Sequence, residues 1–204
     1  DTWEAVIYLL FGIVMGQFRA HQHPLKISKK PSREYLCDWK LHAKLTILQR
    51  LYDFAQQKNL NLLCMQIVSP DLLKRIETLN RVRNEYSHTA SWSKDQTQQQ
   101  LEQYLEEVVA ILRLANEFTN LILLRYVEGT EIHTRPRFDE FVGRYLDHDR
   151  KVHDISTWKI HNPVVLNDKN IIVVHHNEMY TISPWYHFVS TDEGHSIRLC
   201  YFKQ

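Results

Sequence analysis

Apolar residues recur at spacings of three and four through the first 126 residues, a period typical of helices that bury one face. Residues 2–19 are apolar on nearly every side, which predicts a helix buried against several partners. Further helices are predicted at residues 34–57, from Pro70 onward after a Ser69 cap, and at residues 96–126. Because the connections between these helices are short, we expect an antiparallel, up-and-down helical bundle.

The pattern changes after Gly129, where the chain becomes polar and then alternates as strands do. A short helix is predicted at residues 138–146. Four β-type runs follow, at residues 171–174, 179–182, 185–189 and 197–202. We expect them to form a small antiparallel β-meander of about three to five strands, packed on the bundle or on another subunit.

The predicted fold class is therefore mainly α, and α+β overall. The expected organisation is a helical bundle at residues 1–127, a connecting segment with a short helix at residues 128–160, and a small β-module at residues 161–204. A chain of 204 residues suffices for one domain, or for one core domain with a small appendage.

Charge and cysteine usage narrow the function classes. Lys and Arg number 25 against 24 Asp and Glu, so the formal charge of +1 excludes a dominant basic field for long duplex nucleic acid but not a local basic groove. Cys37, Cys64 and Cys200 are widely spaced without a C-x-x-C pair, which favours a reducing cytoplasm over a disulfide framework or a structural zinc site. The adjacent His175 and His176 should face opposite sides of a strand, and we expect neither a metal nor a cofactor.

The run at residues 5–16 is the only membrane-like segment in the sequence. It is about half the length needed to span a bilayer, so we expect a buried helix and no membrane partner. Asp1 and Glu4 stand where a signal peptide would carry basic residues. The chain begins without Met and ends in a strand-like run, so we expect a fragment or a chain with further residues at its ends.

One position in the third predicted helix is unusual. Its apolar stripe follows steps of four, three, four and three: Leu72, Ile76, Leu79, Arg83 and Tyr86. Arg83 thus lies on the packed face, where an unpaired guanidinium would cost several kcal/mol. The partner that this position demands is either a phosphate or a carboxylate on a neighbouring helix, such as Glu102 or Glu106.

The end of this helix, Arg81-Val82-Arg83-Asn84-Glu85-Tyr86-Ser87-His88, resembles the Arg-x(4–6)-His signature of the HEPN superfamily. Members of that family include ribonuclease toxins and CRISPR-associated and anti-phage effectors. Arg83 and His88 match the four-residue spacing, and Arg81 and His88 match the six-residue spacing. Asn84 is a polar residue of the kind common after the arginine in catalytic members, and the resemblance covers roughly residues 2–126.

The resemblance implies metal-independent RNA cleavage by a stress or anti-phage effector. In that chemistry the ribose 2′-hydroxyl attacks the adjacent phosphorus and leaves a 2′,3′-cyclic phosphate and a 5′-hydroxyl. Arg83 would hold the scissile phosphate, His88 would help to move a proton, and Asn84 would orient the phosphate or the arginine. An ideal helix rotates His88 by about 140° from Arg83, so the two converge if the helix loosens after Tyr86 or if two subunits contribute.

The loop before the second helix carries four basic residues and no acid: Lys26, Lys29, Lys30 and Arg33. It is either a solvated connection or a basic rim that steers RNA. On the second interpretation, Lys29, Lys30 and Arg33 would bind substrate together with Arg81. Glu85 would repel phosphate, so we expect it to point away from the cleft.

The resemblance also implies partners. Family members usually pair as homodimers with both motifs at a shared cleft, and a regulatory protein or antitoxin is a further expected partner. Toxins of the family that are paired with a nucleotidyltransferase typically carry a tyrosine two residues after the histidine, where this chain has Ala90. The alternative is a non-catalytic HEPN-like module that dimerises or binds nucleotides or RNA within a larger protein, with His88 only capping its helix.

Overall fold

A computed structural model gives the structure of the protein and describes residues 2–21, 36, 38, 40–88, 93–127, 137–142, 145–146, 154–161, 169–191 and 194–199. The chain divides into two compact units. Unit 1 comprises residues 1–11 and 27–118, and unit 2 comprises residues 12–26 and 119–204. Helices dominate unit 1 and strands dominate unit 2, so the fold is α+β, as expected.

The helices in the described part of the chain are α1 (Thr2–Ala20), α2 (Leu41–Gln57), α3 (Leu63–Ile67), α4 (Pro70–His88) and α5 (Lys94–Leu114), followed by a 3-10 helix (Ala115–Asn120). The predicted start of α4 is confirmed, because the Ser69 hydroxyl accepts a 3.1 Å hydrogen bond from the Leu72 amide. At the start of α5, Ser93 and Gln96 bond reciprocally, which satisfies two amides that the helix leaves unpaired. Most of residues 34–39 lie outside the described residues.

The apolar stripes of α2 and α4 form much of the core of unit 1, as their periodicity predicts. The buried stripe residues are Leu41, Leu45, Leu48, Leu51, Leu72, Ile76 and Leu79, and Trp3, Ile7 and Leu10 of α1 join them. Burial of each such side chain contributes roughly 1.5–3 kcal/mol relative to exposure.

The apolar residues of the helix after Ser93 do not form one continuous buried stripe, although their spacing is typical of a helix that buries one face. In α5 only Ile111 is fully buried, whereas Leu101, Leu105, Val109 and Leu112 are exposed. The apolar residues of α5 occupy two faces of the helix, and only one of these faces is turned to the core of unit 1.

Two predicted helical segments are strands. The helix predicted at residues 96–126 ends at Leu114, and β1 (Ile122–Val127) follows. The helix predicted at residues 138–146 is replaced by β2 (Arg137–Val142) and β3 (Tyr145–Leu146). Pairing between segments distant in sequence decides both outcomes, and local periodicity cannot register such pairing.

The remaining described strands are β4 (Lys159–Ile160), β5 (Ile171–His175), β6 (Glu178–Thr181), β7 (Tyr186–Thr191) and β8 (Gly194–Leu199). Six strands form one sheet in the order β3-β2-β1-β5-β6-β4, and β7 and β8 form a separate antiparallel hairpin. All neighbours in the larger sheet are antiparallel except β4 and β6, which are parallel. The larger sheet is therefore mixed and is not the predicted antiparallel meander. One of its middle strands is β1, whose residues were expected in the helical bundle.

The second half of α1 belongs to unit 2 and is buried on every side, as predicted. Two glycines allow its backbone to come close to its neighbours. A Cβ at Gly16 would lie 2.7 Å from the Thr181 carbonyl oxygen of β6, and a Cβ at Gly12 would lie 2.8 Å from the Tyr186 ring.

Among the described helices, α1 alone is long and apolar enough to cross a membrane, over Trp3–Ala20. This window of 18 residues is longer than the predicted run at residues 5–16. Because 61% of it is buried inside the protein, its length and composition fit a core helix equally well.

Candidate active site

The residues predicted to carry chemistry lie on α4, and its phase decides where they point. The helix is regular through His88, so it does not loosen after Tyr86, and within one subunit Arg83 and His88 stay about 140° apart around its axis. Over the seven residues from Arg81 to His88 a helix turns about 700°, which is roughly 20° short of two full turns. Arg81, rather than Arg83, thus shares the side of α4 on which His88 is placed. The side chains of residues 86–88 lie outside the described part of the structure.

Arg83 lies on the packed side of the helix, as its register predicts, and its anionic partner is a carboxylate. Its Nη1 donates a hydrogen bond to Oε1 of Glu4 on α1, in an ion pair whose side chains are 35% and 20% exposed. The guanidinium carbon also lies 5.9 Å from the centre of the Trp3 ring, within cation–π range. The carboxylate comes from α1, not from Glu102 or Glu106 of α5.

Trp3 connects this ion pair to α5. Its indole Nε1 donates a 2.6 Å hydrogen bond to the Tyr104 hydroxyl. The Trp3 side chain is almost completely buried, so the hydrogen bond satisfies a donor that would otherwise be costly to bury. Arg83 and Glu4 thus form a half-buried ion pair against the buried Trp3 in unit 1.

The opposite side of α4 borders a groove that α2 and α4 line. The groove has a volume of about 550 Å³. Its polar lining residues are His42, Glu77, Asn80, Arg81, Asn84 and Glu85, and Leu45 supplies an apolar wall. A second cavity of about 330 Å³ shares His42, Leu45 and Glu77 with it.

The groove combines donors and acceptors of several kinds. Arg81 and Asn84 have exposed side chains with hydrogen-bond donor groups, and His42 adds an imidazole from α2. The Asn80 Oδ1 is buried and has no hydrogen-bond partner among the described residues. The groove thus offers a positive donor together with an amide and an imidazole, whereas the Asn80 Oδ1 is buried away from solvent.

Two carboxylates in the groove disfavour the binding of an anion. Glu85 was expected to point away from the cleft, but it lines the groove beside Arg81, and Glu77 lines it one helical turn earlier. Their negative charges weaken the attraction of the groove for a phosphate. Residues four apart on a helix share a face, so Glu85 accompanies Arg81 in this groove although it lies on the side of the helix away from Arg83.

The structure therefore brings Arg81, Asn84 and His42 to one groove and separates Arg83 from it. Lys29, Lys30 and Arg33, the predicted substrate-binding loop residues, lie outside the described residues. His42 was not identified from the sequence, because one histidine on an amphipathic helix carries no local signal of its surroundings.

A second polar cluster, in unit 2, was also missed. His21, His161 and Glu178 lie within 4.8 Å of one another by their ligand atoms, although they are far apart in sequence. Burial lowers the pKa of the His21 imidazole, although the Glu178 carboxylate opposes that shift. Burial would raise the pKa of Glu178, but a hydrogen bond from Lys159 and the nearby histidines lower it overall.

The expectation for the adjacent histidines is wrong as well. His175 ends β5, but His176 begins a turn with a positive φ of 46°, so the alternation of a strand stops there. The two rings lie 4.0 Å apart by their centres instead of on opposite faces.

Comparison of the chain with protein-family models, curated proteins and solved structures finds no match. The function has to be inferred from the side chains that the fold assembles. Among the described residues, the groove beside Arg81 and the histidine cluster of unit 2 are two arrangements of side chains that could bind a ligand or support a reaction.

Proposed function

We propose that the chain is a HEPN-type, metal-independent endoribonuclease and that its active site is the groove bordered by Arg81. The observation that carries this proposal is that Arg81 and Asn84 line the groove from the same side of α4 on which helical geometry places His88. A phosphate-binding arginine and a proton-transferring histidine on one helix face match the longer spacing of the Arg-x(4–6)-His signature.

The proposed reaction needs only the side chains of the groove and the RNA itself. The ribose 2′-hydroxyl attacks the adjacent phosphorus and loses its proton, and the bond from phosphorus to the 5′-oxygen breaks. The 5′-oxygen takes up a proton, so the products are a 2′,3′-cyclic phosphate and a 5′-hydroxyl. Arg81 offsets the charge that develops on the non-bridging oxygens, and His88 transfers a proton to or from the reacting oxygens.

The neighbouring amides are proposed to position the substrate. Asn84 follows Arg81 by three residues, so it faces the same phosphate and can donate a hydrogen bond to it. Asn80 also lines the groove and would contribute the exposed part of its side chain to contact with the substrate.

Arg83 receives a different role from the one that its spacing suggests. Because its guanidinium is paired with Glu4 and lies against Trp3, its charge is already compensated within unit 1. We therefore assign the phosphate to Arg81 and assign Arg83 to the stability of the helix that carries it.

A second copy of the chain is proposed as a partner, through the exposed face of α5. Leu101, Leu105, Val109 and Leu112 repeat at helical spacing along this face, and Leu105 is 52% exposed. A two-fold axis across such a face would bury the same stripe on both copies, as in most homodimers. Replacement of Leu105 by Asp should convert a dimer to a monomer in light scattering, and a wild-type chain that is monomeric at all concentrations would contradict this pairing.

The alternative function is a non-catalytic module that dimerises or binds nucleotides or RNA. The presence of Glu77 and Glu85 in the groove favours it, because two carboxylates reduce the affinity of the site for a phosphodiester. Each function implies a different cellular role. The enzyme would act in the cytoplasm as a toxin or defence effector restrained by a regulatory protein. The non-catalytic module would be one part of a larger protein.

Cleavage of a structured RNA in EDTA separates the two functions. The wild-type chain should cut the RNA and leave cyclic-phosphate ends, whereas Arg81→Ala/His88→Ala should not. An Arg113→Ala variant, which removes a cation from α5 outside the groove, is the matched control and should cut normally. RNA that is bound but uncut by the folded wild-type chain would support the module and overturn the enzyme.

A further inference from the structure

Three potential metal ligands meet in unit 2 from segments that are distant in sequence. His21 follows the last residue of α1, His161 follows β4, and Glu178 is the first residue of β6. Each histidine Nε2 lies 3.2 Å from the same oxygen, Oε2 of Glu178. The three ligand atoms all lie within 4.8 Å of one another.

The two nitrogen–oxygen distances suit a tetrahedral cation, and the two imidazoles, whose ligand atoms lie within 4.8 Å of each other, would approach the same separation when it binds. Two ligands held about 2.0–2.1 Å from a tetrahedral Zn²⁺ lie roughly 3.3 Å apart. Both nitrogen–oxygen separations in the cluster match that edge. Imidazole nitrogens and a carboxylate oxygen are also a ligand set that zinc accepts, whereas Ca²⁺ and Mg²⁺ prefer oxygen ligands alone.

His161 provides an independent indication of a ligand. The side chain is only 9% exposed, and its buried Nε2 lies 3.2 Å from Glu178 Oε2 without the alignment of a hydrogen bond. A buried imidazole nitrogen without an aligned hydrogen bond is costly, because contact with the carboxylate replaces only part of the hydration that the nitrogen has lost. A cation placed between His161 and Glu178 would remove that cost.

The backbone holds the three ligands in place. The His21 amide donates to the Gln17 carbonyl at 3.0 Å, which continues the hydrogen bonding of α1 by one residue. The His161 amide donates to the Met179 carbonyl at 3.0 Å, next to Glu178 in β6. The parallel register of β4 and β6 thereby fixes His161 beside Glu178.

We propose that His21, His161 and Glu178 form a zinc site that ties the end of α1 to β4 and β6 within unit 2. His21 and Glu178 are partly exposed, so a water molecule takes the fourth position. The site does not depend on the proposed ribonuclease, because the groove lies in unit 1 and its chemistry needs no metal.

Lys159 provides a way to tune the site. Its Nζ lies 3.3 Å from Oε1 of Glu178, which is the oxygen that does not face the histidines. A nearby ammonium reduces the attraction of the carboxylate for a dication. Lys159→Met should therefore bind zinc severalfold more tightly than the wild-type chain.

The test is a zinc titration of chelator-treated full chain against a chromophoric chelator. We expect one high-affinity Zn²⁺ per chain, and an affinity weaker by about 100-fold or more in His161→Gln and Glu178→Gln. His176→Asn is the matched control, because it removes an exposed histidine two residues from Glu178 and should bind zinc normally. Zinc at 100 times its Kd should raise the wild-type Tm by about 5–10 °C.

Circular dichroism in chelator shows whether each variant folds. If His161→Gln does not fold, Co²⁺ bound to the wild-type chain supplies the second measurement, since a tetrahedral Co²⁺ absorbs in the visible range. A folded wild-type chain that binds no zinc, equal zinc affinity in folded His161→Gln, or bound Co²⁺ without tetrahedral absorption would overturn the proposal. The cluster would then be a hydrogen-bonded His–Glu–His group. RNA cleavage does not enter this readout.

Discussion

Two arginines, two residues apart on α4, have opposite surroundings. Arg83 is paired with Glu4 beside the buried Trp3, whereas Arg81 is exposed and lines a groove with Asn84. The two residues lie about 200° apart around the helix axis. Both match the Arg-x(4–6)-His pattern, so the spacing to His88 does not determine which arginine can reach a substrate. Helical phase and packing determine it.

The largest expected difference between Arg81→Ala and Arg83→Ala is in the rate of RNA cleavage. Arg81→Ala should lower kcat/KM by about 100-fold or more, because it removes the only cation proposed to contact the developing charge. Arg83→Ala should remain within a few-fold of wild type once the rate is divided by the folded fraction. Cleavage assays with circular dichroism on the same samples provide this ratio, and a greater loss in Arg83→Ala would reverse the assignment.

The next largest expected effect is on thermal stability, which should depend on the ion pair of Arg83 but not on Arg81. Glu4→Ala leaves a half-buried guanidinium without its carboxylate and should cost about 1–2 kcal/mol, between the values for exposed and buried pairs. In a chain of this length that corresponds to a fall in Tm of about 3–6 °C. Arg81→Ala is the control and should leave the Tm unchanged within about 1 °C. A double-mutant cycle of Glu4→Ala and Arg83→Ala measures the coupling, and additive losses would show that the pair contributes no interaction energy.

A smaller loss of stability should follow removal of the hydrogen bond between the Trp3 indole and the Tyr104 hydroxyl. Tyr104→Phe removes the acceptor of the Trp3 indole and should cost about 1 kcal/mol, or roughly 2–4 °C in Tm. Tyr52→Phe is a matched control, since its hydroxyl accepts only from Gln56 at an exposed site. Equal Tm values for the two variants would show that the Trp3 hydrogen bond contributes no more than an exposed one.

The smallest expected effect is a change in the RNA affinity of the groove beside Arg81. Glu85→Gln removes a negative charge from the groove and should tighten RNA binding by about two- to threefold at low salt, with the gain shrinking as salt rises. Glu102→Gln on α5 removes a charge outside the groove and serves as the control. Tighter binding by both variants to the same extent would assign the change to net charge alone.

The helices of unit 1 could be predicted because their signals are local. Ser69, Pro70 and the apolar steps from Leu72 to Leu79 specify α4 within eleven residues of sequence. The strand at Ile122–Val127 could not be separated from a helix in the same way, because an apolar run of six residues suits both until its partners are known. Those partners, β2 and β5, come 10 or more residues later in the chain.

The candidate site was predictable in part for the same reason. The packed register of Arg83 and its need for an anion followed from periodicity, but the identity of the anion depended on Glu4, 79 residues away. The groove depended on His42 of α2, and the histidine cluster joins residues up to 157 positions apart. Such contacts form only when distant segments pack together, so the spacing of residues within one segment cannot predict them.

The division of α1 between the two units has a consequence for cooperativity. Its first half is buried in unit 1 and its second half in unit 2, yet one set of backbone hydrogen bonds runs through both. A helix of about ten residues is marginal in water without tertiary support. Opening of either unit therefore exposes half of this helix and weakens the remaining half. We expect the amides of α1 to exchange with solvent together and the whole chain to unfold in a single transition.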